Sequence, residues 1–276
     1  MDYQKIKLET ADGVAIVTLN DPSTLNAAGL DLAEELAHAL RSIAAGTVQA
    51  RAVVLTGEGR GFCSGANLSG GGAAGREPDV DGKPDAGRAL EQVYNPLITL
   101  MRDFPLPIVT AVNGAAAGIG CSLALMGDMI VAGESAYFLQ AFRRIGLVPD
   151  GASTYLLPRM IGRARAMEMT LLGEKLPAAK ALDWGLVNRC VPDAELMDTA
   201  LAIARELAAG PSALGLIRKL MWESLDNEWA PSCTPSAWAR RSPARARTSS
   251  RASPPSCRSG RPHSRGAKAR HSAALA

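Results

Sequence analysis

Two short aliphatic runs that each break into glycine constrain this chain more than any other feature in it. The first, Arg51–Thr56, carries Ala52-Val53-Val54-Leu55 and passes through Gly57-Glu58-Gly59-Arg60-Gly61 into Phe62-Cys63-Ser64-Gly65-Ala66-Asn67-Leu68. The second, Pro107–Val112, passes through Asn113-Gly114 into Ala115-Ala116-Ala117-Gly118-Ile119-Gly120-Cys121-Ser122-Leu123. An unbroken apolar run of this length, bounded by turn residues, reads as a strand buried on both faces. Glycine just beyond it lets the backbone turn sharply and approach a ligand closely. A helix that begins there presents unpaired N–H groups and the positive end of its dipole. Two such N–H groups aimed at one point would stabilise an anion. Either junction alone reads equally well as a tight turn under close helix packing. Gly118-x-Gly120 also falls short of the G-x-G-x-x-G dinucleotide fingerprint.

The rest of the chain supplies compatible elements. Ile6–Glu9 and Val14–Asn20 flank Asp12-Gly13, the pattern of a β-hairpin. Gly29–Ala45 has helical spacing, with Leu30, Ala33, Leu36, Ala37, Leu40, Ile43 and Ala44 on one face. Ala89–Asp103 is helical as well. An Ala/Gly-rich helix is expected after Asn113-Gly114, strands at Met129–Ala132 and Ala136–Phe138, and mainly helix from Gly151 to Asn227. Gly70–Gly87 reads as a Gly/Pro/Asp-rich loop. Strands alternating with helices predict an α/β architecture with right-handed crossovers.

Composition narrows the function classes. No window reaches the roughly 18 uninterrupted apolar residues of a membrane span. The opening MDYQKIKLET shows no basic-then-apolar signal. The reading is a soluble cytoplasmic protein with no membrane partner. Five widely spaced cysteines without a C-x-x-C pair offer neither a metal site nor a disulfide framework. The three histidines are His38, in a helix-like stretch, and His263 and His271, both near the C-terminal end, so a histidine-dependent triad is not expected.

The net charge of +3 conceals two compositions. From Trp229 onward the chain has ten Lys and Arg and no Asp or Glu; the preceding 228 residues hold 20 basic and 27 acidic side chains, a net of −7. One reading of Trp229–Ala276 is a disordered basic tail able to neutralise phosphates. The preferred reading is a shift of frame near Glu228, with no nucleic-acid partner. Pro231–Ala237 can be encoded so that the adjacent frame reads Gln-Leu-His-Ala-Glu-Arg, an amphipathic segment. Resequencing that region of the gene tests the idea.

Taken in order, the motifs resemble the enoyl-CoA hydratase/isomerase (crotonase) family over about residues 5–228. They are Pro22-Ser-Thr-Leu-Asn26-Ala27, the two junctions, Leu123-Ala-Leu-Met-Gly-Asp128, Gly146-Leu-Val-Pro-Asp150 and Ala181-Leu-Asp-Trp-Gly-Leu-Val187. The resemblance implies an α/β spiral of ββα turns with a helical C-terminal region, assembled as a homotrimer or dimer of trimers. It divides the chain into a spiral core at 1–192, the start of the helical region at 193–228, and the atypical tail at 229–276. It also implies an acyl-CoA thioester substrate, with coenzyme A belonging to the substrate and no separate cofactor or metal. The N–H groups of Ala66 and Ile119 would form the oxyanion hole, with Gly118 setting the turn. Leu25, Ala27, Ser64, Asn67 and Leu68 would line the coenzyme A path.

The resemblance also bears on the reaction. The hydratases resembled use two glutamates, and carrying those positions over places Ser122 at the first and Phe142 at the second. Neither can transfer the proton that hydration requires. Asp150, in Leu147-Val-Pro-Asp-Gly151, is a carboxylate in the motif where the isomerases of ring epoxides on phenylacetyl thioesters carry a functional Asp. Its bland reading is an N-cap for the Gly151–Ile161 helix. Its functional reading is the acid/base of a double-bond or ring-epoxide isomerase, with Phe142 against the acyl group. Phe138, Phe142 and Leu147 would raise its pKa by desolvation. Two alternatives stay open: hydration or thioester hydrolysis by Asp150 with water, and an acyl-CoA-binding paralogue that turns over poorly. Cys63 and Cys121 read as small apolar fillers. Arg143-Arg144 reads as a solvated or subunit-contact pair, with a coenzyme A phosphate site the weaker reading.

Overall fold

The computed structural model describes residues 2–67 and 86–227. Leu68, most of the Gly70–Gly87 loop, and the Trp229–Ala276 tail with its frame-shift reading lie outside the described residues. Strands β1 (Ile6–Ala11) and β2 (Val14–Leu19) form the expected antiparallel hairpin. Asp12 and Gly13 have φ of 53° and 76°, the paired left-handed residues of a tight hairpin turn. Helix α1 (Leu30–Ala44) leads to β3 (Ala52–Gly57) and β4 (Gly61–Cys63). Helix α2 (Ala86–Ala89) runs through a π turn at Leu90–Tyr94 into α3 (Asn95–Arg102). Then come β5 (Ile108–Val112), β6 (Ala115–Ala117), α4 (Ile119–Leu125), β7 (Met129–Gly133) and β8 (Tyr137–Leu139). A 3₁₀ turn at Ala141–Ile145 precedes α5 (Ser153–Leu172), β9 (Leu176–Pro177), α6 (Ala178–Trp184) and β10 (Arg189–Val191). Helices α7 (Leu196–Ala209) and α8 (Leu214–Ser224) follow.

The strands alternate between two sheets. One has the order β1-β2-β3-β5-β7-β10, parallel beyond the first hairpin; the other has the order β4-β6-β8-β9. So β3, β5 and β7 each hand the chain to a short strand in the second sheet before the next helical segment. This is a spiral of ββα turns, as the resemblance implies.

Both faces of the parallel sheet are covered, as its sequence requires. Val53, Leu55 and Ile108 point into the large core with Leu32, Leu36 and Leu40 of α1. Their neighbours Ala52, Val54 and Val109 point the other way, onto Leu196, Ala200, Ile203, Ala204 and Ala208 of α7. The alternation has period 2 within an all-apolar run, and alanines on α7 allow close approach to the sheet.

Two expectations change. Ala115–Ala117 is a strand, paired with β4 and β8, and not the start of a helix. A polyalanine stretch has high helix propensity, but here tertiary pairing overrides it. Helix α5 starts at Ser153 and not Gly151, because Gly151 and Ala152 both have positive φ. It breaks at Gly162, whose φ of 77° and ψ of 159° are non-helical.

A buried cation holds the C-terminal helix α8 to the body. Arg218 is 6% exposed. Its guanidinium donates to Asp128 Oδ2 at 2.6 Å and to the carbonyls of Met101, Arg102 and Phe104. Those carbonyls lie at the open C-terminal end of α3, where a cation is favoured. Trp222 Nε1 donates to Asp128 Oδ1 at 3.1 Å, so both carboxylate oxygens are used.

Candidate active site

The two glycine junctions meet because β4 and β6 lie side by side, with Gly61 opposite Ala115 and Cys63 opposite Ala116. Each strand then feeds its junction at the same end. Gly65 has φ of 108°, and a methyl group there would stand 3.0 Å from the Ala117 carbonyl oxygen. A methyl on Gly120 would stand 2.2 Å from the Cys63 carbonyl oxygen, so α4 starts directly on top of β4. Gly118 caps α4 with φ 52° and ψ −126°, a conformation that side chains rarely adopt. Its own N–H is fixed to Leu139 C=O at 2.9 Å.

Ala66 and Ile119 each follow one of these contacting glycines. Ile119 opens α4, so no carbonyl within the helix can accept its N–H. Ala66 forms an isolated parallel bridge with Ala28, through a bond from Ala28 N–H to Gly65 C=O at 2.7 Å. That pattern turns the N–H of Ala66 away from Ala28.

The segment of Leu25 and Ala27 is laced to the first junction. Ser64 N–H donates to Leu25 C=O at 3.0 Å, and Ser64 Oγ donates to Thr24 C=O at 2.8 Å. Leu25 and Asn26 both have left-handed φ. Ala27 is buried, and Asn67, half-buried, packs its Cβ near Gly29. Leu25, Ala27, Ser64 and Asn67 thus flank Ala66; Leu68, also assigned to the coenzyme A path, lies outside the described residues.

Asp150 lies on a turn that abuts α4. A methyl on the next residue, Gly151, would stand 2.4 Å from Ile119 Cδ1 and 2.8 Å from Ser122 Oγ. The turn is therefore pressed against the first residues of the helix. Asp150 does not cap α5 with its side chain: no side-chain hydrogen bond caps that helix, and the N-cap position is Ala152. Its backbone carbonyl instead takes the bonds, from Ser153 N–H at 3.0 Å and Ser153 Oγ at 2.6 Å. The carboxyl is left free for other work, and Oδ1 is buried without a hydrogen-bond partner. Desolvation pushes the Asp150 pKa up to about 6, offset in part by its own N–H.

Phe142 is buried, with Cζ 3.8 Å from where a methyl on Gly118 would sit. It closes the junction beside Gly118. Phe138 lies deeper, fully buried on β8, while Leu147 is about half exposed at 49%. Arg143 and Arg144 donate to the carbonyls of Leu172 and Gly173, holding the C-terminal end of α5. Burial pushes the thiols of Cys63 and Cys121 up to about 11 and about 12, which disfavours the thiolate at neutral pH. Among the described residues no group of His, Cys, Asp and Glu is placed to hold a metal ion.

Sequence reasoning missed the residues that brace this site. Asn26 is fully buried, and Nδ2 donates to Glu58 C=O and Gly61 C=O. Asn113 Nδ2 donates to Gly57 C=O and Gly59 C=O, while its Oδ1 accepts from Gly57 N–H. Two amides thus pin the glycine turn between β3 and β4. Asn113-Gly114 suggested only a turn. Its usable signal was an amide among glycines whose carbonyls need donors. Ser122 and Ser153, both fully buried, hydrogen-bond to each other at 2.9 Å.

Comparison with known proteins gives the family. The sequence pattern of the enoyl-CoA hydratase/isomerase family matches residues 9–233. The chain belongs to that family. Family relatives carry different activities in their names. A "probable enoyl-CoA hydratase" of Rhodobacter capsulatus is 43% identical over 228 residues, covering 82% of this chain and 84% of the relative. The 1,2-epoxyphenylacetyl-CoA isomerase of Escherichia coli is 44% identical over 209 residues, covering 75% and 78%. Among solved family structures, an enoyl-CoA hydratase from Bacillus anthracis superposes with a TM-score of 0.79 at 28% identity, covering 86% of this chain and 90% of that one. Membership makes the chain an enoyl-CoA hydratase/isomerase family enzyme, consistent with an acyl-CoA thioester substrate.

Proposed function

We propose that this enzyme is an isomerase of acyl-CoA thioesters, with Asp150 as the group that removes and returns the proton. The observation that carries the reading is the Asp150 carboxyl. It is raised by burial, has a free buried oxygen, and sits on a turn packed against Ile119. Ser122 and Phe142 stand where the hydratases resembled carry glutamates, and neither can deliver a second proton.

One carboxylate suffices for a double-bond shift. Asp150 takes the C2 proton of a 3-enoyl thioester, and the C–H electron pair moves into a dienolate. The negative charge reaches the thioester oxygen, which the N–H groups of Ala66 and Ile119 hold. The protonated Asp150 returns the proton to C4, leaving the double bond between C2 and C3. Nothing is gained or lost, and no water enters. Rearrangement of an aromatic ring epoxide is the related reaction suggested by the Escherichia coli relative's name.

The test is ultraviolet absorbance of the conjugated product from a trans-3-enoyl-CoA. This chain, a frame-corrected chain and Asp150→Asn are compared. Conjugation that vanishes in Asp150→Asn supports the reading. Conjugation that persists there removes Asp150 as the base, and none from either wild-type chain removes the double-bond isomerase.

A further inference from the structure

Asp150 is held by a chain of two hydroxyl groups. Ser153 Oγ lies 2.6 Å from Asp150 C=O, and Ser122 Oγ lies 2.9 Å from Ser153 Oγ. Ser122 Oγ also lies 3.3 Å from the same carbonyl oxygen. The proton arrangement that uses every partner is Ser122 O–H to Ser153 Oγ, and Ser153 O–H to Asp150 C=O. Both serines are 0% exposed, so water cannot substitute. Ser122 lies one turn into α4, the helix whose first N–H belongs to Ile119. Ser153 opens α5. The bonds therefore tie the helix that presents Ile119 to the turn that presents Asp150.

The turn needs such a tie. Gly151 and Ala152 both have positive φ, at 55° and 65°, and an alanine there is strained. The preceding segment is open: Ile145, Leu147 and Val148 are exposed, Val148 at 80%. Packing before Asp150 is thus sparse, and a strained turn follows it.

We infer that Ser122 and Ser153 are positioning residues, which set the distance between the Asp150 carboxyl and the Ile119 N–H across one reacting thioester. The serine at 122 thereby serves the site without carrying a proton. The inference rests on the isomerase reading given above.

The experiment uses the full chain with Ser122→Ala, Ser153→Ala, the double variant and Ser122→Cys, which keeps volume but weakens the hydrogen bond. Three quantities are read: kcat for conjugation, deuterium incorporation from D2O at C2 of butyryl-CoA, and the Kd of butyryl-CoA. Deuterium exchange breaks a C–H bond and forms a C–D bond without any shift of a double bond. Each single variant is expected to lower kcat and exchange by about tenfold to a hundredfold, the scale of a small misplacement of reacting groups. Kd should stay within about threefold, because coenzyme A contacts are untouched. The double variant should lose no more than the worse single one, because both hydroxyls act through one carbonyl. Ser122→Cys should fall with Ser122→Ala, which guards against an effect of the cavity alone. Active wild type with kcat unchanged in the variants, or with Kd weakened as much as kcat falls, overturns the positioning role and leaves the isomerase reading standing. Exchange without conjugation in wild type removes the double-bond isomerase alone, and the variants then judge the serines by exchange. Wild type that neither conjugates nor exchanges overturns both.

Discussion

Gly65 and Gly118 lie against each other, so that a methyl group on Gly118 would stand 3.9 Å from the Gly65 Cα, in ordinary contact. The room exists, but the conformation does not suit a side chain: Gly118 holds φ 52° and ψ −126°. Gly118→Ala should therefore rotate the turn and displace the Ile119 N–H. The expected loss in kcat is about 10²–10³-fold, comparable to removing one oxyanion donor. Steady-state kinetics with a trans-3-enoyl-CoA checks it, with circular dichroism to verify that the variant is folded.

Asp150→Asn should keep acyl-CoA binding and lose turnover. Removal of a general base costs about 10²–10⁴-fold. Titration calorimetry with butyryl-CoA should show near wild-type affinity while conjugation falls by that factor.

The pH dependence follows from the raised Asp150 pKa. The base must be ionised, so kcat/KM should fall as pH drops through about 6, and not through the ordinary carboxylate range. A profile of log(kcat/KM) against pH locates the limb.

The same shift affects stability in the opposite sense. Between the unfolded value of 3.8 and the folded value of about 6, the folded protein holds a proton that the unfolded chain has released. Asp150 thus favours folding at low pH, and that benefit is lost as pH rises through the folded pKa. Asp150→Asn removes this ionisation penalty. Its Tm should exceed wild type by about 2–4 °C at pH 8, with the difference shrinking towards pH 4. Scanning calorimetry across that range tests the sign.

Arg218→Ala should be the most damaging of these substitutions to the fold. It strips Asp128 of its buried cation and removes the guanidinium donor from the carbonyls of Met101, Arg102 and Phe104. Breaking a buried pair from one side costs about 3–5 kcal/mol. Urea unfolding monitored by tryptophan fluorescence measures it, and the loss should be visible even when kcat per folded molecule is little changed.

The sequence by itself determined the aliphatic strands at the middle of the parallel sheet, and their burial. Val53-Val54-Leu55 and Ile108-Val109 are apolar on both faces, the pattern of strands inside a covered parallel sheet. It also determined where the backbone could turn, because glycines at 65, 118 and 151 permit positive φ at little cost. Asp150, Ala66 and Ile119 were legible only through the order of motifs and the family they resemble. What tertiary structure alone decided was who touches whom. Ala115–Ala117 became a strand because β4 and β8 offered it partners that its own propensity does not anticipate. Asp150 lost the capping role that its place before a helix suggested, because Gly151 and Ala152 turn the chain and Ser153 takes its carbonyl. Ser122 and Ser153 are separated by a helix turn, two strands and a loop, and no local pattern couples them. Local preference is written in neighbouring residues, whereas a hydrogen bond between distant hydroxyls exists only once the core has brought their helices together.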